Sequence, residues 1–315
     1  MSRSKGRILA ITLGDPAGIG PEVAAKALSV LRWPRGVEPL VIGNEKVFDR
    51  FWPRQKDRPA FLHLASSLRG RHVLGSPTRE SGRDSLLYLQ YAVDLLKENR
   101  VHGLVTGPVS KESVARFSPG FRGHTTFLAE AFDRRDVEML FVADDLRMVL
   151  VTRHVALSQV PKMVTVSKLL SVLRTSHCFL VEHLRVRHPR IAVLGLNPHA
   201  GEAGHMGREE DRVIAPALRK ARALDMDVQG PFPADTFFEV GNRKGYDLIV
   251  AMYHDQGLVA LKALYFDRLV NLTAGLPFIR TSPAHGTAFG IAGKGVAHPG
   301  SMRAAIDLAA RLVGA

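Results

Sequence analysis

The sequence contains a single cysteine, Cys178, so it has no disulfide framework. Aromatic residues make up only 7% of its 315 residues, and no stacking platform or helix-turn-helix pattern accompanies them, so we expect no nucleic-acid partner. No apolar run approaches the roughly 18–20 residues that span a bilayer, so we expect no membrane association. The first apolar stretch runs into Gly14 without a small-residue cleavage site, which predicts a cytoplasmic protein.

Acidic residues are also relatively few. The sequence has 30 Asp and Glu against 43 Lys and Arg, which gives a net charge of +13. The basic residues are scattered over several segments instead of forming one stripe. We therefore interpret the excess as a solvated basic surface that also attracts anionic substrates. The remaining composition is that of a globular protein, with 46% hydrophobic and 23% charged residues, and the length suits two domains.

Apolar and polar patterns that are typical of strands and of helices alternate along most of the chain. This alternation predicts α/β layers with a mainly parallel sheet. Residues 53–80 are rich in Arg, Pro and Ser, and we expect loops and short strands there. The predicted strands are 7–13, 39–42, 103–106, 139–142, 147–152, 190–196 and 246–252, and the predicted helices are 21–31, 47–52, 86–96, 125–132, 167–183, 209–224 and 301–313.

Three histidines follow apolar strands in the same relative position: His154, His199 and His254. In an open α/β sheet, ligands bind beyond the carboxyl ends of the strands. Three neutral imidazoles at that edge would form a divalent-metal site with open coordination positions. A single histidine would be better explained as a strand cap that hydrogen-bonds a loop carbonyl, but three in one position favour the metal site.

Two carboxylates lie in turns beside these elements. Asp255 directly follows His254, and Asp235 lies in a separate turn. Either side chain could orient a metal-bound imidazole or accept a proton. A turn or helix-cap role is an equal alternative for each.

Polar groups with the chemistry to bind an anion interrupt an apolar stretch near the C-terminus. Arg280 could bind a phosphate or carboxylate through a bidentate fork, and Lys262 could do so as a point charge, with Asn271 between them. Taken singly, each is more simply a surface residue. The segment 14–20 opens a helix and either cradles an anion or forms a tight turn, and it does not match the dinucleotide-binding fingerprint.

Seven motifs then occur in order along nearly the whole chain. They are GDPAGIGPE at 14–22, TGPVSK at 106–111, GHT at 123–125, LNPHAGE at 196–202, PADT at 233–236, AMYHDQG at 251–257 and GLPFIRTS at 275–282. Together they resemble the 4-hydroxythreonine-4-phosphate dehydrogenase family of pyridoxal phosphate biosynthesis. The resemblance is weakest over residues 44–100.

The resemblance implies a fold and a reaction. The fold is the two-domain α/β architecture of the isocitrate and isopropylmalate dehydrogenases, with the active site in the interdomain cleft. The expected domains are 1–125 plus 290–315, and 126–289, which carries the metal ligands and the dimer interface. In the reaction, NAD or NADP oxidises the C3 hydroxyl of 4-phosphooxy-L-threonine to a ketone, and the β-keto acid loses CO2 to give 3-amino-2-oxopropyl phosphate.

The resemblance also implies roles for individual residues. His154, His199 and His254 match the family's ligands for one divalent ion (Zn, Mg or Co), and the third histidine is expected to reach the metal from the partner subunit of a homodimer. The substrate-binding positions that match are His124, Thr125, Lys262, Asn271 and Arg280. A loop that resembles the cofactor-adenosine site contains His285, Gly286, Thr287 and Ala288.

Several alternatives stay open at this point. Ala284 and Gly290 stand where relatives commonly carry acids, which leaves the preference between NAD and NADP open. D-threonate or D-erythronate 4-phosphate and, less in keeping with the motif at 123–125, aromatic cis-diol carboxylates are alternative substrates within the family. A metal-dependent hydrolase and a non-catalytic basic binding protein are alternatives from other classes, but no phosphate-cleaving motif or nucleic-acid module supports them.

Overall fold

The computed structural model describes residues 6–64 and 74–315, and the chain forms two compact units. Unit 1 comprises Met1–Arg135 and Asp267–Ala315, and unit 2 comprises Asp136–Phe266. Each unit combines one portion of β-sheet with α-helices. The α/β class predicted from the alternating pattern is therefore confirmed.

Eleven strands occur in the part of the chain that the structure describes. They are β1 (Arg7–Thr12), β2 (Val37–Gly43), β3 (Ala60–His63), β4 (Gly103–Thr106), β5 (Glu138–Ala143), β6 (Leu146–Leu150), β7 (Arg190–Leu194), β8 (Asp227–Phe232), β9 (Leu248–Ala251), β10 (Val270–Ala274) and β11 (Ile279–Pro283).

The α-helices of the same residues are α1 (Gly20–Leu28), α2 (Glu45–Phe48), α3 (Arg79–Lys97), α4 (Lys111–Ala115), α5 (His124–Ala131), α6 (Val160–Met163), α7 (Val166–Glu182), α8 (Ala215–Arg222), α9 (Ala234–Phe237), α10 (Val240–Arg243), α11 (His254–Tyr265) and α12 (Gly300–Gly314). Local chemistry fixes several helix starts. The Thr78 side chain accepts a hydrogen bond from the Ser81 backbone at the start of α3, and Thr165 does the same for Lys168 at α7.

In unit 1 the strands lie in the order β3-β2-β1-β4-β11-β10. All neighbouring pairs are parallel except β10 and β11, which are antiparallel. Strand β4 is buried along its whole length, as expected for a parallel strand that is covered on both faces. The carboxyl ends of β1, β4 and β11 therefore lie at one edge of this sheet.

In unit 2 the order is β5-β6-β9-β7-β8. Strands β6, β9, β7 and β8 are parallel to one another, and β5 pairs with β6 in antiparallel fashion. Every residue of β9 is buried, as are Ile191–Leu194 of β7. The continuous apolar runs that predicted these two strands thus reflect burial on both faces.

The observed units differ in extent from the domains expected from the resemblance. Residues 126–135 and 267–289 were expected in the second domain, whereas they lie in unit 1. Strand pairing is the physical reason for residues 267–289, because β11 pairs with β4 and β10 pairs with β11. Of the segment 53–80 expected as loops and short strands, 60–63 forms β3 and α3 begins at Arg79, while 65–73 lies outside the described residues.

Within residues 6–64 and 74–315, no single helix combines the length and the apolarity needed to cross a membrane. One pair of helical segments, Leu157–Met163 and Val166–Glu182, reaches that length and composition only when the two are joined across a bend of 86°.

Candidate active site

The three histidines predicted to bind metal follow three neighbouring strands of unit 2. His154 comes after β6, His254 after β9 and His199 after β7, and these strands are adjacent and parallel. Their carboxyl ends therefore share one edge of the sheet, where ligands bind in open α/β sheets. At this edge the Thr152 backbone N–H and hydroxyl both donate to the Met252 carbonyl, at 3.1 and 2.7 Å.

The structure brings two of these histidines together. The ring centroids of His154 and His254 are 5.5 Å apart and the rings are tilted by 44°. His199 lies exposed on the turn after β7. Among the described residues, no three His, Cys, Asp or Glu side chains form a group able to hold a metal ion. Within one chain the described residues thus provide an imidazole pair, and the predicted three-histidine site stays a prediction for the homodimer.

The imidazole pair nevertheless has the donor chemistry of a divalent-metal site. Neutral imidazole nitrogens suit zinc and cobalt, and a catalytic site of this kind uses three protein ligands. Asp255 Oδ1 lies 2.6 Å from His254 Nδ1, so the carboxylate fixes the ring and directs its other nitrogen to a ligand. Two side-by-side imidazoles therefore fit an ion that takes a further ligand from elsewhere. Asp235, the second predicted carboxylate, is exposed on α9.

The turn that carries His199 has an unusual backbone. Five consecutive residues from His199 to Ala203 have positive φ, and four of them are not glycine: His199 (51°), Ala200 (52°), Glu202 (44°) and Ala203 (54°). Left-handed backbone is costly for residues with a Cβ, so it persists only where the surroundings enforce it. Sequence reasoning found a metal ligand and one of the seven motifs in this segment but not its left-handed backbone.

In unit 1, Arg280 of β11 is a buried cation that has no carboxylate partner among the described residues. Its side chain is 2% exposed, and its Nη1 and Nη2 donate to the hydroxyls of Thr273 and Thr106 at 3.0 and 2.5 Å. Its Nε finds no hydrogen-bond partner among the described residues. Burial lowers the pKa of Arg280 to about 9. A buried guanidinium with an unused donor is suited to an anionic ligand.

His124 and Thr125 form the first turn of α5 beside this cation. The preceding Gly123 has a φ of 117°, a conformation that glycine adopts without strain. Burial, and then the charges of Arg280 and Lys111, hold the pKa of His124 well below its ordinary value. His124 is therefore neutral at pH 7 and can hydrogen-bond an anion without adding charge. Lys111 is a residue to which sequence reasoning assigned no role, although it ends one of the seven motifs.

The remaining predicted substrate positions are divided between the two units. Asn271 lies on β10 in unit 1, and its buried Oδ1 accepts no hydrogen bond from the described residues. Lys262 is exposed on α11 in unit 2, on the same helix as His254. Unit 1 thus holds the candidate anion-binding groups His124, Thr125, Asn271 and Arg280, whereas unit 2 holds Lys262 and the histidines.

The loop from His285 to Ala288 has features of a ligand site. His285 Nε2 is buried and has no hydrogen-bond partner within the described part of unit 1. The Ile19 N–H donates to the Thr287 carbonyl at 2.9 Å, and Ala288 adopts a left-handed φ of 42°. A Cβ atom added at Gly290 would meet no atom within 4 Å. The loop is therefore anchored by the turn that opens α1 while open space remains beside it.

That turn contains a buried carboxylate, Asp15. It is 0% exposed and accepts hydrogen bonds from the Ala17 N–H at 2.9 Å and the Ser81 hydroxyl at 3.4 Å. Burial, with a smaller contribution from Asp84, raises the pKa of Asp15 to about 6. A buried carboxylate in segment 14–20 favours the tight turn over the anion cradle.

Comparison with known proteins decides the family. A family model described as "Pyridoxal phosphate biosynthetic protein PdxA" matches residues 36–309. The chain is 41% identical over 330 aligned positions to the 4-hydroxythreonine-4-phosphate dehydrogenase of Geobacter metallireducens, covering 99% of this chain and 97% of that protein. The chain belongs to the PdxA family. It is therefore an oxidoreductase of pyridoxal phosphate biosynthesis, and the resemblance seen in the seven motifs is confirmed.

Solved structures agree with membership of the PdxA family. The crystal structure of 4-hydroxythreonine-4-phosphate dehydrogenase from Klebsiella pneumoniae superposes with a TM-score of 0.85 at 36% identity, covering 98% of this chain and 99% of that one. A β-decarboxylating dehydrogenase from Thermococcus kodakarensis shares the fold at 18% identity with a TM-score of 0.50, covering 96% and 82% of the two chains. The expected relation to the isocitrate dehydrogenase type of fold is thereby confirmed.

Proposed function

We propose that this PdxA-family protein oxidises 4-phosphooxy-L-threonine at its C3 hydroxyl with NAD or NADP, and that the resulting β-keto acid loses CO2. The products are 3-amino-2-oxopropyl phosphate, CO2 and the reduced cofactor. The observation that carries the choice of a phosphorylated substrate is Arg280, a buried cation with an unused Nε and no ion pair among the described residues. The family's dehydrogenases provide the reaction class.

The residues around Arg280 support phosphate binding in particular. Arg280 supplies the positive charge, and neutral His124 and the hydroxyl of Thr125 add donors at the start of α5. A helix N-terminus also favours an anion. Because the pKa of His124 is low, its ring is neutral and contributes a hydrogen bond without a charge. Asn271 and Lys262 complete the proposed set of substrate-binding residues, with Lys262 as a point charge for a carboxylate or phosphate.

The chain contains residues that fit the divalent ion and the nucleotide implied by the family. His154 and His254 would hold one divalent ion, and His285, Gly286, Thr287 and Ala288 would hold the adenosine end of the nucleotide. When bound, the nucleotide accepts a hydride and the ion lowers the pKa of the substrate hydroxyl. Asp255 holds the His254 ring, and either Asp255 or Asp235 is proposed to take the hydroxyl proton.

The incomplete ligand set of one chain supports a homodimer with a shared active site. One chain brings His154 and His254 together, and the described residues contain no third ligand beside them. We infer that association of two chains supplies the missing ligand, with His199 as one of the three. Reconstituting the metal-free protein with Zn, Mg or Co would identify the ion.

A substrate panel tests the proposal. The protein is freed of metal with a chelator, reconstituted with Zn, Mg or Co, and supplied with NAD or NADP. Reduced cofactor should form fastest with 4-phosphooxy-L-threonine, and more slowly with D-threonate or D-erythronate 4-phosphate. Faster turnover of either hydroxy acid would reassign the substrate. Release of inorganic phosphate without cofactor reduction would favour a metal-dependent hydrolase instead.

A further inference from the structure

The segments that carry His199 and His254 are tied to each other by one side chain, Gln256. Its Oε1 accepts a hydrogen bond from the Met252 N–H at 2.6 Å, and its Nε2 donates to the Gly195 carbonyl at 2.7 Å. Met252 directly follows β9 and Gly195 directly follows β7, which are adjacent parallel strands. The amide thus spans the gap between two strand ends, just before each chain segment reaches its histidine.

Glu210 holds the left-handed turn that carries His199 through a second set of hydrogen bonds. Its Oε1 accepts from the backbone N–H groups of Leu196 and Asn197 at 2.7 and 2.8 Å, and its Oε2 accepts from Asn197 Nδ2 at 2.9 Å. Glu210 is only 4% exposed, and a Cβ at Gly201 would lie 2.7 Å from Oε2. The carboxylate therefore sits inside the turn and uses both oxygens to hold it.

This arrangement explains how a turn with positive φ at four non-glycine residues persists. A strained backbone is retained only when its surroundings specify it. Glu210 fixes the start of the turn with three hydrogen bonds, and Gln256 ties that start to the segment before His254. Thr152, through its bonds to the Met252 carbonyl, extends the same connection to the strand that precedes His154.

We propose that Gln256 and Glu210 are positioning residues that set the relative placement of the histidine-bearing segments of unit 2. Neither residue needs to touch the substrate, the cofactor or the ion. They act on the ligands through the backbone of Met252, Gly195, Leu196 and Asn197. The inference rests on the metal site proposed above.

Cobalt binding to the metal-free protein tests this role, because the visible absorption of Co²⁺ reports both affinity and ligand geometry. The variants are Gln256→Met, which keeps the length of the side chain but removes both hydrogen bonds, and Glu210→Gln, which places an amide donor against Asn197. The control is Gln229→Met on strand β8 of the same unit. It removes the hydrogen bonds that the Gln229 side chain makes with Tyr246 and Asp227.

We expect Gln256→Met and Glu210→Gln to raise the Co²⁺ Kd by about 10- to 100-fold, the usual effect of losing groups that orient metal ligands. Their Co²⁺ spectra should differ from that of the wild type, and the Met252 and Leu196 amides should exchange faster with solvent. Gln229→Met should lower thermal stability while its Kd and spectrum match the wild type. Sedimentation at the same concentrations checks that the variants keep the oligomeric state of the wild type.

The outcomes separate the two proposals. Wild-type Kd and spectrum in both Gln256→Met and Glu210→Gln would overturn the positioning role while leaving the metal site intact. An equal loss of affinity in Gln229→Met would also overturn it, because general destabilisation would then explain the effect. Absence of Co²⁺ binding by the wild type would overturn the metal site itself, and the positioning role with it.

Discussion

Replacing Asp15 by asparagine should stabilise the protein at neutral pH. The Asp15 carboxylate is completely buried in the turn that opens α1, and burial raises its pKa from 3.8 to about 6. At pH 7 the group is ionised at a position that disfavours the charge. Asparagine has the same shape, keeps the Oδ1 that accepts from the Ala17 N–H, and can donate its Nδ2 to the Ser81 hydroxyl.

The size of the effect follows from the pKa. Each pKa unit corresponds to about 1.36 kcal/mol, so ionised Asp15 costs the folded state about 3 kcal/mol. Between pH 4 and pH 6 the folded state binds more protons at Asp15 than the unfolded state does. Wild-type stability therefore falls as the pH rises through this range, and the loss is complete above it. The advantage of Asp15→Asn should grow from about 0.5 kcal/mol at pH 4 to about 3 kcal/mol at pH 8.

Guanidinium unfolding followed by tryptophan fluorescence measures this difference. The two tryptophans of the chain, Trp33 and Trp52, both lie in unit 1 together with Asp15, so the signal reports the relevant unit. The exposed Asp57→Asn is the matched control, with an expected change within about 0.5 kcal/mol at every pH. An Asp15→Asn effect that is destabilising at pH 8, or that does not change between pH 4 and pH 8, would refute the reasoning.

The remaining predictions concern the candidate site. Arg280→Met should weaken binding of inorganic phosphate by at least about 100-fold in calorimetry, since a buried charge-assisted contact is worth about 3 kcal/mol; unchanged binding would remove Arg280 from the anion site. His154→Ala and His254→Ala should each retain less than about a tenth of the wild-type metal after dialysis, measured by elemental analysis, because the ligand set has no spare member; full metal content in both would exclude the imidazole pair as the site. Gly290→Asp, for which the structure leaves open space, should lower kcat/KM for NADP by about tenfold or more relative to NAD, because an acid near the adenosine ribose repels the extra phosphate; an unchanged ratio would show that cofactor choice is set elsewhere.

Hydrophobic runs were sufficient to predict the strands that position the histidines. The runs at 190–196 and 246–252 correspond to β7 (Arg190–Leu194) and β9 (Leu248–Ala251). Because a parallel strand is buried on both faces, it leaves an unbroken apolar run in the sequence. The shared position of the three histidines at strand ends could be read from the sequence for the same reason.

Strands β10 and β11 were not predicted, because polar Asn271 and Arg280 interrupt their apolar residues. The two hydrogen-bond partners of Arg280, Thr273 and Thr106, are distant in sequence from one another and could not be paired by periodicity.

Tertiary restraints produced the other features that the sequence did not reveal. The left-handed turn at His199–Ala203 depends on Glu210, which lies beyond the turn and was expected only as part of a helix. Helix 209–224 instead begins with a π-helical turn at Glu210–Ile214, which places the carboxylate inside the loop. The buried Asp15 likewise accepts a hydrogen bond from Ser81 of a separate helix. Side chains that act across such distances leave no local pattern.

The most direct test of the proposed activity is the stoichiometry of the reaction. Metal-free protein is supplied with 4-phosphooxy-L-threonine and NAD or NADP, with and without a divalent ion, and reduced cofactor, CO2 and 3-amino-2-oxopropyl phosphate are quantified together. We predict that one equivalent of each forms with the ion present and that none forms without it. Reduced cofactor without CO2, or full turnover in the metal-free protein, would contradict the proposed reaction.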